Sequence, residues 1–432
     1  PAPLVVARPR PFKLAALDNA FERRRGDLWY ATQVGELRAA LEARGLATDG
    51  LKKVLKERLL GALARALGVA AALVALGAVL AGGALAAGEG SSPYLGFPYF
   101  GALAALAIFL GARRGRYATA RTVISARDGL LAPLTLSASL SAIYVATKLG
   151  LDFTSLLAGY FFLVEAIAAG AGLAVAFSFV GTALGERAFE VPVPAWLGLL
   201  EDGEPVDRLE ALPSAALAAA AAAALAAWDV SSGHSSWVMN NFMACMLAAF
   251  FLENLSLGSF RAAAVLLAGL LLYDAFWVFG SSAAIEALLG AGSALAPEKG
   301  SVMMDVASSP LVDAPTKLLF PAPPSAARPE GGFSLLGLGD IVVPGLLLAF
   351  TMRFDESGEP GRGGARRDLY FAWALGAYAL GLGLTFLANT ATSSPQPALV
   401  YLSPATVGVV ALLGAARGEL PRLLAFEVPK EE

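Results

Sequence analysis

About ten apolar runs, each near the roughly 20 residues a helix needs to cross a bilayer, decide the class of this chain. They fall at 60–88, 94–112, 129–147, 153–181, 211–228, 235–252, 259–280, 333–352, 369–388 and 396–415. A soluble domain has no use for so many, and the composition agrees, with 57% of 432 residues hydrophobic and 16% charged. The fold class expected is all-α, a polytopic membrane helical bundle. The stretch Leu217–Trp228 is nearly all Ala, so it is strong by helix propensity and weak by hydropathy.

Basic residues orient the bundle, because Lys and Arg gather in cytoplasmic loops. Lys52, Lys53, Lys56 and Arg58 precede the first run, and Arg113, Arg114, Arg116, Arg121 and Arg127 lie between the second and third. Arg353, Arg362, Arg366 and Arg367 follow the 333–352 run, and Arg417 and Arg422 follow the last. With about ten crossings these clusters all fall on one side, which puts both termini in the cytosol. The 259–280 run then goes from cytosol to lumen and the 333–352 run returns. The net charge of −3 adds little to this. Residues 1–59 form a polar cytosolic head, and 416–432 a cytosolic tail. Within the head, Leu37 and Leu41 share a helix face, Gly45 and Gly50 break the helix, and Leu51, Val54, Leu55 and Leu59 resume its period. The first residue is Pro1 rather than Met, so residues are expected to precede it.

Two acids interrupt the apolar runs: Asp274 in "LLLYDAFWVFG" and Asp340 in "GLGDIVVPG". Each is expected towards the middle of its span, the spans are consecutive and antiparallel, and neither acid has a Lys or Arg near it in its span. Intramembrane acids are costly and functional as a rule. Brought together, two carboxylates share one proton, since close like charges do not both ionise easily, and their titration belongs to the pair. Such a pair suits aspartyl protease chemistry: the ionised member takes a proton from water and the protonated one donates to the peptide carbonyl. Gly337 and Gly339 remove side chains just before Asp340 and let another backbone approach, and Pro344 weakens the helix after it. In "QPALVYLSP", Pro397 restricts Gln396 to extended geometry. Two readings stay open there: an uncoiled stretch offering a strand edge to substrate, and a helix that simply starts at Pro397.

Other chemistries fit less well. One histidine, His234, excludes a metal site with two imidazoles, and no serine protease motif accompanies it; it reads as a solvated lumenal side chain. One cysteine, Cys245, excludes an internal disulfide and reads as a small core residue. Asn240 and Asn241 are expected to hydrogen-bond between helices. The alternative to a protease is a transporter coupling protons or cations to the two acids. It calls for inverted repeats, which are not visible, and leaves Pro397–Leu399 unexplained.

Tyr273–Asp274, Gly337–Leu338–Gly339–Asp340 and Pro397–Ala398–Leu399 resemble the signatures of the presenilin-type intramembrane aspartyl proteases, and the text around them is similar to the signal peptide peptidase family. "YDAFWVFG", "KLLFP", "LGLGDIVVPG", "MRFD", "GLGLTF" and "QPALVYLSP" carry this, over residues 94–420. The resemblance implies nine core spans with one extra, 60–88, in front, and a protease domain over 94–415. It implies Asp274 and Asp340 as the catalytic pair, Tyr273, Gly337 and Gly339 as active-site support, and Gln396, Pro397, Ala398 and Leu399 as substrate-positioning residues. It implies cleavage of type II-oriented membrane segments, remnant signal peptides included, in the endoplasmic reticulum membrane, with no metal or organic cofactor. Membrane lipid, transmembrane peptides and further copies of the chain are the partners that follow. The chain departs from the family in its extra span, in a third acid, Glu165, and in the insertion "AAIEALLGAGSALAPEKG". Residues 34–60 resemble SAP-type helix–loop–helix modules through Leu37, Leu41, Gly45, Leu46, Gly50, Leu55 and Leu59. That implies DNA or chromatin contact, with Lys52, Lys53 and Lys56 on phosphates, and extends the expected location to the inner nuclear membrane.

Overall fold

A computed structural model of the chain describes residues 52–87, 94–115, 122–149, most of 236–307, 316–322, 332–357, 369–392 and 396–428, with shorter pieces between 159 and 227. Contacts divide the chain into Pro1–Leu73 with Gly170–Leu225, and Val74–Ala169 with Ala226–Glu432. In chain order the elements are α1 (Lys52–Ala86), α2 (Gly96–Gly115), β1 (Thr122–Ile124), α3 (Ala126–Lys148), β2 (Phe189–Pro192), β3 (Leu200–Glu201), β4 (Glu204–Pro205), β5 (Arg208–Ala211), α4 (Trp237–Asn254), β6 (Leu255–Leu257) and α5 (Phe260–Ala275). A π-helical turn, Phe276–Gly280, carries α5 into α6 (Ser281–Leu289), followed by α7 (Val302–Ala307), β7 (Lys317–Ala322), β8 (Gly332–Gly337), α8 (Gly339–Glu356), α9 (Leu369–Thr392), α10 (Leu399–Ala416) and α11 (Leu420–Ala425).

Lipid offers no hydrogen bonds, so the apolar runs close their backbones as helices. Among the described residues, six helices are long and apolar enough to cross a membrane: Gly68–Ala86, Gly96–Gly115, Ala126–Lys148, Phe260–Leu288, Leu369–Thr392 and Leu399–Ala416. The helices α4 and α8, 18 residues each, carry more polar side chains, and their apolar faces are covered by protein. In the larger unit, α2 packs on α4 and α8, α3 on α5, and α9 on α10, while α8 also touches α4, α5, α9 and α10. The α2–α4 approach is close because Gly111 has no side chain: a Cβ there would lie 2.7 Å from the Ala249 carbonyl oxygen. Cys245 is fully buried on α4, as its residue type implied. In the smaller unit β2 pairs antiparallel with β5 and β3 with β4, and an apolar helix covers Ala216–Leu225.

Basic residues converge at one end of the larger unit. Arg114 meets Glu253 at 2.6 Å; Arg353 donates to the Ser256 hydroxyl and to the Gly115 carbonyl; β1 pairs in parallel with β6. Asp355 accepts the N–H groups of Tyr370 and Phe371, capping α9. Glu419 accepts from Tyr370 Oη at 2.7 Å and Arg417 Nε at 3.0 Å. Burial opposes the Glu419 charge, but these two partners outweigh it and hold the carboxyl below its ordinary range.

Two expectations need correction. The apolar run 333–352 is not one helix: Gly332–Gly337 is strand, and α8 begins at Gly339. Asp340 therefore lies in the first turn of its helix, not near the middle of a span. Glycine at four of the positions 331–339 weakens helix there, and pairing with β7 satisfies the backbone instead. The 259–280 run, in turn, continues past its expected end, as the apolar helix Phe260–Leu288. The head over 1–51, Glu165, His234 and most of the run 153–181 lie outside the described residues, as do the side chains of Lys52, Lys53 and Lys56.

Candidate active site

Asp274 occupies the last turn of α5 and is 6% exposed. Ahead of it lies an unbroken helix of Leu and Ala, and behind it the π-helical turn. That turn is pinned from three directions. Trp277 Nε1 donates to Ser137 Oγ on α3 at 3.0 Å. Ser281 Oγ donates to the Trp277 carbonyl at 2.8 Å and accepts from the Val302 N–H at 3.2 Å. Tyr273 packs beside a buried cluster of Tyr144, Trp277, Val302 and Val306. Residues Ser281–Leu289 and Val302–Ala307, as α6 and α7, thus help brace the end of the Asp274 helix.

Asp340 is half-buried and lies within electrostatic reach of Asp274. It is reached through a strand. β7 and β8 form an antiparallel hairpin, Lys317 opposite Gly337 through Ala322 opposite Gly332. The Leu338 N–H closes its base on the Thr316 carbonyl at 2.8 Å. A Cβ on Gly337 would lie 3.4 Å from Asp340 Oδ2, whereas one on Gly339 would meet no protein atom within 4 Å. The first glycine brings strand backbone up to the carboxylate, and the second leaves space beside it. Among the described strands, β8 pairs only with β7, so its other edge is unpaired.

The third predicted motif joins the same place. Gln396 and Pro397 precede the helix, Ala398 caps it, and α10 starts at Leu399. Ala398 already has helical angles and the Pro397 carbonyl accepts from the Val400 N–H at 3.2 Å, so the chain turns into the helix directly after Pro397. The Gln396 N–H donates to Asn389 Oδ1 at 2.7 Å, and Gln396 Nε2 to Thr392 Oγ1 at 3.2 Å. The first N–H groups of a helix have no intrahelical acceptor and favour negative charge. Here the Leu399 N–H lies within electrostatic reach of the Asp274 carboxyl. Tyr273, Asp274, Gly337, Gly339, Asp340 and Pro397–Leu399 therefore converge where α5, α8 and α10 pack together.

Sequence reasoning did not anticipate three features. The hairpin is one; its signals were short apolar pieces, "KLLF" and "FSLL", punctuated by Pro and Gly. Tyr378 on α9 is another. It is 1% exposed, its hydroxyl has no hydrogen-bond partner among the described residues, and it lies in electrostatic reach of Asp340. The third is the destination of Asn240 and Asn241. Asn241 does reach another helix, at Tyr99 Oη (3.0 Å), but both side chains chiefly hold the main chain of β7.

Comparison with known proteins bears on the same residues. The sequence model of the signal peptide peptidase family matches residues 117–430, and that of the SAP domain matches residues 34–64. The chain is 29% identical over 336 residues to the signal peptide peptidase of Homo sapiens, covering 75% of this chain and 81% of that one. It is 30% identical over 336 residues to the signal peptide peptidase of Mus musculus, with the same coverage. Intramembrane protease 2 of Caenorhabditis elegans is 35% identical over 201 residues, 44% of this chain and 38% of that protein.

Proposed function

Since this chain belongs to the signal peptide peptidase family of intramembrane aspartyl proteases, we propose that Asp274 and Asp340 are its catalytic dyad and that it cuts type II-oriented transmembrane segments, remnant signal peptides among them. The observation that supports this is that two carboxyl groups, from α5 and α8, lie within electrostatic reach of each other where α5, α8 and α10 pack together, with the first N–H of α10 near one of them.

The dyad works with one proton. Its ionised member takes a proton from water as the oxygen attacks the scissile carbonyl carbon, and its protonated member gives a proton to the carbonyl oxygen. The tetrahedral adduct then collapses: the C–N bond breaks, a proton passes to the leaving amine, and the dyad regains its shared proton. A helical substrate hides its peptide bonds, so it must be extended first. The unpaired edge of β8, next to Asp340, supports addition of the substrate as a strand. The open space at Gly339 supports close approach of that backbone. Tyr273 and Gly337 shape the walls, and Gln396–Leu399 hold the third side.

In this reading nine core spans make up the protease domain, 94–415, with the span 60–88 in front, a cytosolic head over 1–59 and a cytosolic tail over 416–432. The protein resides in the endoplasmic reticulum membrane. The head resembles a SAP domain and contacts DNA through Lys52, Lys53 and Lys56, which places a share of the protein in the inner nuclear membrane. Salt-dependent retention of duplex DNA by the full chain in detergent is the expected result; no retention at low salt rejects this part.

The deciding test is cleavage of a model signal peptide by the purified full chain in detergent. Wild-type protein is expected to release two fragments and Asp274→Asn and Asp340→Asn none. Cleavage surviving either substitution rejects the dyad, and intact substrate with folded wild-type protein rejects the substrate class.

A further inference from the structure

Asparagine is an expensive residue to bury in a membrane helix, yet α4 carries two in succession, Asn240 and the fully buried Asn241. Asn241 Nδ2 donates to the Leu319 carbonyl at 2.6 Å, and the Leu319 N–H donates back to Asn241 Oδ1 at 2.7 Å. A residue on a neighbouring strand makes the same two-way exchange. Asn240 Nδ2 adds a bond to the Lys317 carbonyl at 2.8 Å and one to Asn241 Oδ1 at 3.2 Å. Tyr99 Oη accepts from Asn241 Nδ2 at 3.0 Å. Two side chains of α4 thus act as a third strand on the closed edge of the hairpin, and leave the β8 edge unpaired.

We propose that Asn241, with Asn240, is a positioning residue that sets the height of the hairpin against Asp340 and thereby which substrate bond is cut. The proposal rests on the reading that substrate adds to β8. Leu318 and Phe320 are buried, and Phe320 sits among the rings of Tyr99, Phe100 and Trp237. A slip of β7 by one residue would turn both outward, so apolar pattern alone resists odd displacements. Even displacements keep the pattern, and there the amides decide. Moving the strand by two residues in one direction brings Pro321 opposite Asn241, and Pro321 has no N–H to give Oδ1. Leu319 faces Leu335 in β8, and β8 runs on through Gly337 to Asp340. A strand rises about 3.3 Å per residue, so a two-residue displacement of the hairpin, about 6.6 Å, presents a bond two residues along the substrate to the dyad. Apolar packing is non-directional and holds height poorly; paired hydrogen bonds hold it well.

The test uses the full chain in detergent with a model type II signal peptide, the products being resolved by mass spectrometry. Wild-type protein is expected to cut at one dominant bond. Asn241→Leu is expected to raise the share of cuts two residues from the dominant bond about tenfold, the factor that one ordinary hydrogen bond represents. Asn240→Ala, which leaves the Leu319 exchange in place, is expected to broaden the pattern less. It gives the answer by itself if Asn241→Leu does not fold: broadening supports the proposal and a wild-type pattern overturns it. Plain destabilisation lowers all products in proportion and leaves their ratio alone. Folded Asn241→Leu with the wild-type product ratio overturns the proposal, whereas an inactive wild-type protein counts against the protease reading instead.

Discussion

The two acids stand on opposite kinds of support. Asp274 closes an unbroken apolar helix and is braced behind by a π-helical turn tied to α3 and α7. Asp340 opens a helix, and the chain before it is a hairpin held by side-chain amides. One carboxylate is part of a wall; the other sits at a joint between strand and helix, with a glycine on either side of Leu338. The contrast suits a protease that meets its substrate as a helix and must cut it as an extended chain. One partner stays fixed while the backbone beside the other takes in a strand.

The largest expected effect abolishes the contrast altogether. Asp274→Asn and Asp340→Asn should each lower the cleavage rate by about 10²–10⁴-fold or more, and the double variant should be no worse than either single one, because the pair acts as a unit. A rate-against-pH profile for wild-type protein should fall on both sides of its maximum, since activity needs one proton on the dyad; a profile with a single limb would break the unit into independent groups. Gly337→Val probes the joint alone. Its branched atoms enter the 3.4 Å space next to Asp340 Oδ2, so kcat should drop about tenfold or more with little change in Tm, at about 1–3 kcal/mol for overpacking. Gly337→Ala meets only ordinary contact and should keep most of the activity. Ser281→Ala probes the wall. It removes the acceptor of the Val302 N–H and a second donor to the Trp277 carbonyl, and denaturation should report a loss of about 1–3 kcal/mol, with cleavage position unchanged. If Ser281→Ala moved the cleavage position as well, the wall would be as adjustable as the joint.

The smallest effect lies away from both acids. Glu419→Gln should cost about 0–1 kcal/mol at neutral pH. The folded carboxyl titrates below its unfolded value, so the wild-type advantage is present above the ordinary carboxylate pKa of about 4.3 and is lost as pH falls through the folded one. Thermal melts of the two proteins should therefore converge in acid. A gap that persists there would mean the loss is packing rather than charge.

Much of this was legible in linear order. Apolar length is a local property, and the described helices α2, α3, α9 and α10 lie within a few residues of the runs that announced them. Asp274 and Asp340 stood out because a carboxyl without a base nearby has so few uses in lipid. The hairpin was not legible, because "FSLLGLGD" is as apolar as a helix and periodicity does not separate short apolar pieces. Asn240 and Asn241 could be read as groups that need partners, but the partner, the Leu319 main chain, lies 78 residues away.

The sequence by itself determined the membrane class, the two acids and their three motifs, because each depends on residue type over a short stretch. The tertiary structure alone decided which groups meet. Strand pairing carried Asp340 to the start of its helix, the first N–H of α10 came to Asp274, and the amides of α4 took the place of a third strand. Hydrogen bonds between distant segments depend on the packing of whole helices, and no local pattern of residues encodes that distance.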